Sequence, residues 1–122
     1  MMSMKLPAFL FAITFSLMHS VPVMAHAFPD HAVPGAGATL AQAPTVVTIY
    51  FDSELEPLFS TLIVKDEQGT QVSKGKGQVD DHNLMMLSTR LTNLRRGIYH
   101  VYWSVVARDG HHTEGDYTFT LQ

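Results

Sequence analysis

The chain has 122 residues and a formal net charge of −3, and 46% of its residues are hydrophobic. This length suits one small domain with a single core, and the negative charge argues against nucleic acid or anionic lipid as a partner. The sequence contains no cysteine, which excludes disulfides, thiolate metal ligands and a lipid anchor attached through cysteine.

The first 25 residues read as a secretory signal peptide. Lys5 supplies a positive charge, residues 6–18 form a mostly apolar stretch, and Val23-Met24-Ala25 fits the positions that a signal peptidase reads. Removal of this segment leaves a domain of 97 residues, numbered 26–122, whose formal net charge is −4 because Lys5 is lost.

The exact cleavage site decides which residue begins the exported chain. Cleavage after Ala25 makes His26 the first residue. Because Ala25-His26-Ala27 also fits the A-x-A pattern, cleavage after Ala27 is an alternative that would discard His26. An uncleaved membrane anchor is a further alternative, disfavoured by the prolines and polar residues that interrupt the apolar stretch. No later stretch is apolar for long enough to span a bilayer.

After an arm and loop over residues 26–44, apolar and polar residues alternate with the period of two that is typical of strands. The predicted strands are residues 45–51, 59–65, 84–91, 97–105 and 116–121, and residues 74–81 form a loop. No segment of the exported chain shows a helical period. The pattern predicts an all-β fold, a small antiparallel Greek-key β-barrel or β-sandwich of immunoglobulin-like or cupredoxin-like appearance.

His26 is the first candidate for chemistry, because a terminal histidine offers both its α-amine and its imidazole Nδ1 to one metal ion. Asp109-Gly110-His111 lies far downstream between two predicted strands and offers a carboxylate and a second imidazole. Nitrogen and oxygen ligands in a tetragonal arrangement favour Cu(II). The alternative for Asp109-Gly110 is a plain hairpin turn, with His111 as a solvated loop residue.

The other histidines are less suited to a metal site. Neighbours on an extended chain point apart, so His112 is expected to face solvent or to support the site from behind. His31 either approaches the site from the arm or lies on the surface. His82 lies in a charged loop, and His100 lies on the polar face of its strand.

Three further features have alternative interpretations. Trp103 lies on the inward face of its strand, which favours core packing over sugar stacking. Of Met85 and Met86, one is expected to pack and the other to be exposed, and neither is predicted to bind metal. Glu54 and Glu56 share one face of an extended segment, where a solvated edge is favoured over the paired carboxylates of a glycosidase.

Residues 26–122 resemble the CopC family of bacterial copper-resistance proteins. The resemblance rests on the order and spacing of His26-Ala27, Pro34-x-x-Gly37-Ala38, Val47-Thr48-Ile49-Tyr50-Phe51, Leu55-Glu56-Pro57-Leu58-Phe59-Ser60, Leu62-x-Val64-x-Asp66-x-x-Gly69, Gly97-x-Tyr99-x-Val101-x-Trp103-x-Val105, Asp109-Gly110-His111 and Gly115-x-Tyr117-x-Phe119.

The resemblance implies a periplasmic β-barrel that binds one Cu(II) through His26, Asp109 and His111. It favours cleavage after Ala25, since cleavage after Ala27 would destroy this site. The leading hypothesis is a protein that buffers Cu(II) or delivers it to an inner-membrane copper transporter of the CopD type, and a monomer is the default oligomeric state. Many members have a third-position histidine where this chain has Phe28, and the methionine-rich Cu(I) site of some members is missing.

Two other functions compete with this hypothesis. A terminal-histidine copper site also resembles that of oxidative polysaccharide-cleaving enzymes, although 97 residues leave little surface for a polymer substrate. A metal-free exported β-sandwich that binds other proteins is the second alternative, because a fold does not determine a function. The sequence favours a copper-binding protein that is not an enzyme.

Overall fold

The computed structural model of the chain describes residues 2–5 and 27–122. Most of the predicted signal peptide and His26, the predicted first residue after cleavage, lie outside the described residues.

Eight strands make up the described domain. In chain order they are β1 (Pro29–Val33), β2 (Thr39–Leu40), β3 (Val46–Phe51), β4 (Thr61–Lys65), β5 (Gln78–Val79), β6 (Met86–Arg90), β7 (Gly97–Val106) and β8 (His112–Leu121). A short 3₁₀ helix, Pro57–Phe59, precedes β4, and the described residues contain no α-helix.

The strands form two four-stranded sheets, with the orders β1-β3-β6-β5 and β2-β8-β7-β4. Only the β5–β6 and β7–β8 connections stay within a sheet, and every other connection crosses from one sheet to the other. This arrangement confirms the predicted all-β fold and decides for a sandwich rather than a barrel. The strand pairs are antiparallel, as predicted, except that the two-residue strand β2 lies parallel to β8 at one edge.

The core lies between the two sheets and is built by the alternating residues that the sequence placed inward. Ile49, Leu62, Leu87, Val101 and Phe119 are fully buried. Burial of such side chains is worth roughly 1.5–3 kcal/mol each. Trp103 is 9% exposed and meets Phe51 edge to face, with ring centroids 5.5 Å apart. The prediction that Trp103 packs in the core is therefore confirmed.

The predicted N-terminal arm is more ordered than the sequence indicated. Residues Pro29–Val33 pair with β3, and Thr39–Leu40 pair with β8. Between them the Tyr117 hydroxyl donates a hydrogen bond to the Pro34 carbonyl at 3.0 Å, and burial raises the pKa of Tyr117 to about 12. Proline and glycine gave this segment a loop-like composition, but an unpaired edge of β3 was available to it.

The predicted loop over residues 74–81 contains strand β5 and lies against the edge of β4. The Leu62 amide donates to the Lys76 carbonyl at 2.7 Å, and the Val64 amide donates to Ser73 Oγ at 2.9 Å. Gly77 has a φ of +82°, and a Cβ there would lie 2.9 Å from Leu62 Cβ. The glycine is required at this close approach, where it marks contact with a strand edge rather than flexibility.

Candidate metal centre

The β7–β8 hairpin loop carries both downstream ligand candidates. The Ala107 amide donates to the His111 carbonyl at 2.9 Å, and the Gly110 amide donates to the Ala107 carbonyl at 2.8 Å. Gly110 has a φ of +91°, a left-handed conformation that glycine adopts without steric cost. Asp109-Gly110 is therefore a true turn, as the alternative interpretation held, and that turn places Asp109 and His111 close together.

Asp109 and His111 are joined by two hydrogen bonds. The His111 amide donates to Asp109 Oδ1 at 3.0 Å, and His111 Nδ1 lies 2.8 Å from Asp109 Oδ2. Carboxylates fix metal-binding imidazoles in this way, by holding one ring nitrogen while the other faces the metal. In this chain the Asp109 carboxylate fixes the orientation of the His111 imidazole through Nδ1. Both side chains reach the surface, with 57% of the His111 side chain and 35% of the Asp109 side chain exposed.

The beginning of the described domain is fixed beside this hairpin. Ala27 is fully buried, and its carbonyl accepts a hydrogen bond from Thr113 Oγ1 at 2.5 Å. The Phe28 amide donates to Asp52 Oδ1 at 2.9 Å, and the Asp52 amide donates back to the Phe28 carbonyl at 2.9 Å. Ala27 and Phe28 are thus bonded to β8, two residues after His111, and to the residue that follows β3.

A second set of contacts holds the hairpin loop from the other side. The Arg108 amide donates to the Glu54 carbonyl at 3.1 Å, and the Glu56 amide donates to the Val106 carbonyl at 2.7 Å. The Arg108 side chain lies 3.4 Å from Glu54 Oε2 and 3.8 Å from Glu56 Oε1. Both glutamates therefore form an exposed ion-pair cluster with arginine, as the solvated-edge interpretation expected.

The other histidines among residues 27–122 have partners outside the Asp109–His111 pair or are partly or fully exposed. His31 stacks on Tyr50 with ring centroids 4.3 Å apart, and its Nδ1 lies 2.9 Å from Asp30 Oδ2. His112 Nε2 lies 2.8 Å from Ser104 Oγ on the outer face of the β7–β8 pair. His82 is exposed in the turn before β6, and His100 is half-buried on β7. Within the described residues, no group of three or more histidine, aspartate or glutamate side chains is placed to hold a metal ion. His26 lies outside the described residues.

Sequence reasoning missed two anchoring residues of the site. Thr113 carried no signal, because a threonine in a strand is ordinary, and its partner Ala27 is distant in sequence. Arg108 was not singled out either, although the acidic residues on both sides of its loop pointed to an ion pair.

Met85 is exposed and Met86 is half-buried, so neither is a core residue.

Comparison with known proteins agrees with the fold. Residues 30–122 match the CopC domain. A crystal structure of CopC from Methylosinus trichosporium OB3b is similar, with a TM-score of 0.71 and 31% identity, covering 80% of this chain and 94% of that chain.

Two curated relatives differ greatly in length. Protein YobA of Escherichia coli K12 is 32% identical over 101 residues, which is 82% of each chain. Copper transport protein CutJ of Bacillus subtilis is 30% identical over 99 residues, which is 80% of this chain but 18% of CutJ. The matched region is therefore a small part of that transport protein.

The chain belongs to the CopC family of copper-resistance proteins. The family consists of periplasmic copper-binding proteins rather than enzymes. Across residues 2–5 and 27–122, no helix combines the length and apolar character needed to cross a membrane.

Proposed function

We propose that the chain is exported with cleavage after Ala25, and that its mature form binds one Cu(II) through His26, Asp109 and His111. The ligands are the freed α-amine and imidazole of His26, the imidazole of His111 and a carboxylate oxygen of Asp109. In this function the protein is a periplasmic monomer that buffers Cu(II) or delivers it to an inner-membrane copper transporter of the CopD type.

The observation that carries this proposal is the hydrogen bond from Thr113 Oγ1 to the Ala27 carbonyl. Consecutive Cα atoms are about 3.8 Å apart, so a mature chain that begins at His26 would have its terminus next to Ala27 and near the loop that carries His111. Cleavage after Ala27 would also remove a fully buried residue from the core. The Thr113–Ala27 hydrogen bond and the burial of Ala27 both support cleavage after Ala25.

The type of donor supports Cu(II) rather than Cu(I). An amine, two imidazoles and a carboxylate are nitrogen and oxygen donors, which Cu(II) prefers, whereas Cu(I) prefers thiolates and thioethers. The sequence has no cysteine. After the predicted signal peptide its only methionines are Met85 and Met86, which lie next to each other and supply no methionine-rich cluster.

A role in copper delivery is supported by the similarity of this chain to a small part of CutJ. In that copper transport protein the matching region makes up 18% of the chain. A CopC-like segment therefore occurs within a larger protein that transports copper, and we infer that a separate domain of this kind serves a transporter as a partner.

Native mass spectrometry of the exported protein with one equivalent of Cu(II) tests the site. We expect a chain that begins at His26 and retains one copper, and we expect H111A to lose it. H82A is the matched control, because it removes an exposed histidine outside the hairpin loop. A chain that begins at Phe28, or equal copper retention by H111A and H82A, would refute the proposed ligand set.

A further inference from the structure

We propose that the Leu58–Phe59 pair, together with the acidic residues around it, forms the surface that docks onto the protein accepting the copper. This docking surface fits a partner with an apolar pocket surrounded by lysine and arginine side chains. The inference rests on the proposed role in copper delivery and adds to it the side of the molecule that meets the acceptor.

The side chains of Leu58 and Phe59 are exposed to solvent, where they contribute little to the stability of the fold. Leu58 is 90% exposed and Phe59 is 65% exposed. Single exposed hydrophobic residues are common on protein surfaces, but two adjacent large ones project here from the 3₁₀ helix Pro57–Phe59. Exposed apolar groups that neighbour a functional site are typical of interaction surfaces.

The segment that carries the pair is firmly held. The Phe59 amide donates to the Glu56 carbonyl at 3.2 Å, and Ser60 Oγ donates to the same carbonyl at 2.8 Å. The Val106 amide in turn donates to Ser60 Oγ at 3.3 Å, and Ser60 is buried. A rigid display lowers the entropy that is lost on binding.

The same contacts place the pair beside the candidate metal centre. Glu56 bonds to Val106, the last residue of β7, and Leu55 forms a β-bridge with Ala107, the first residue of the hairpin loop. A partner that covers Leu58 and Phe59 would therefore also face Asp109 and His111.

Charge is unevenly distributed between the two ends of the sandwich. The end that contains the hairpin loop has most of the acidic residues: Asp30, Asp52, Glu54, Glu56, Asp80, Asp81, Asp109 and Glu114. Of the described lysines and arginines, Arg108 lies in the hairpin loop at this end, and Lys76 lies beside Leu62 in the same half of the sandwich. The opposite end has Lys74, Arg90, Arg95 and Arg96, with Asp66 and Glu67 beside them. Complementary charge steers association and selects the partner.

This charge pattern separates a protein partner from two other possible occupants. Anionic phospholipid headgroups would be repelled by the excess of carboxylates at this end of the sandwich. A symmetric dimer through this face would bring two acidic ends together, which like-charge repulsion disfavours. A basic protein surface with an apolar pocket is the occupant that satisfies both the exposed pair and the charge.

The test measures binding of the exported protein to a CopD-type transporter from the same organism, held in nanodiscs of zwitterionic lipid. The double variant L58S/F59S removes the apolar pair. V46S/I98S is the matched control, because Val46 and Ile98 are 41% and 40% exposed at the opposite end of the sandwich. We expect L58S/F59S to bind at least about ten-fold more weakly, as for a hot-spot pair, and the control to bind within about two-fold of wild type.

Salt and copper add two independent readouts. Raising the salt concentration from about 0.05 M to about 0.5 M is expected to weaken wild-type binding, because it screens the acidic surface. L58S/F59S is expected to retain one copper by native mass spectrometry. A wild-type chain that holds no copper would refute the proposed function, whereas binding by the copper-free chain would still test the docking surface.

Three results would overturn the inference: equal binding by L58S/F59S and wild type, no binding of wild type to the loaded nanodiscs, or equal binding to empty nanodiscs. Hydrogen exchange of the wild-type complex tests the surface without relying on a variant's folding. We expect slower exchange at residues 58–60 and 107–111 on binding, and unchanged exchange there would also overturn the inference.

Discussion

Replacing Thr113 with valine tests the hydrogen bond on which the proposed copper site depends. Valine keeps the size and branching of threonine but cannot donate to the Ala27 carbonyl. Ala27 is fully buried, so its carbonyl would lose a partner that water cannot readily replace.

The expected loss of stability is that of a buried carbonyl left without a hydrogen-bond donor. Leaving such a carbonyl without a donor costs about 1–3 kcal/mol, and each kcal/mol lowers the melting temperature of a domain of this size by roughly 4–8 °C. T113V should therefore melt about 4–24 °C lower than wild type. The Phe28–Asp52 hydrogen bonds remain, so the chain start is loosened rather than released, and we expect Cu(II) affinity to fall about five- to ten-fold.

Thermal unfolding by circular dichroism and competition with a Cu(II) chelator measure the two effects. T118V is the matched control, because it makes the same substitution further along β8. If T113V melts and binds copper as T118V does, Thr113 does not hold the start of the domain near the hairpin loop. The proposed position of the His26 terminus near the hairpin loop would then be refuted.

Three further predictions concern packing, pH dependence and ligand orientation. G115A should destabilise the fold by about 1–3 kcal/mol in urea unfolding, because a Cβ at Gly115 would lie 2.6 Å from Trp103 Cζ2. Burial raises the pKa of Tyr117 from 10.0 to about 12, so the folded state holds this proton more tightly than the unfolded chain does. The free energy of unfolding should therefore fall as the pH rises from 10 toward 12. Y117F should accordingly lose less stability than wild type over that range in pH-dependent unfolding. D109N should weaken Cu(II) binding about 10–100-fold, with the melting temperature almost unchanged, because an amide replaces the proposed carboxylate ligand and orients the His111 imidazole less well.

Each of these has a clear opposing result. A more stable G115A would mean that the indole of Trp103 can shift without cost. Parallel pH profiles for Y117F and wild type would show that the buried hydroxyl does not set the alkaline limit of stability. Copper affinity unchanged in D109N would show that neither a carboxylate ligand nor the Asp109–His111 hydrogen bond contributes to the site.

The strand pattern was predictable because each central strand has one buried face. Residues in β3, β4 and β7 alternate strictly between inward and outward positions, and inward Ile49, Leu62 and Val101 are buried as their spacing indicated. The last strand was predicted to begin at residue 116, whereas it begins at His112. Polar His112 and Glu114 hid those residues from a reading based on hydrophobic alternation, since pairing with β7 rather than burial makes them a strand.

The candidate site was only partly predictable, because its parts are joined across the fold. Asp109 and His111 are two residues apart, so a turn alone brings them together. The bond between Thr113 and Ala27 joins residues 86 positions apart in sequence, and the Arg108–Glu54 pair joins residues 54 positions apart. No local pattern records such contacts, because they exist only after the sheets have packed.

The sequence by itself determined the all-β class, the inward faces of the main strands, the Asp109-Gly110-His111 turn and the resemblance to a copper-binding family. These features follow from side-chain periodicity and from the short-range geometry of turns, which depend on neighbours along the chain. The tertiary structure alone decided that two sheets form a sandwich, that the arm supplies strands β1 and β2, and that Ala27 is bonded beside the hairpin loop. It also decided that Leu58 and Phe59 remain exposed at the acidic end, because the burial of a residue depends on which distant segments come to cover it.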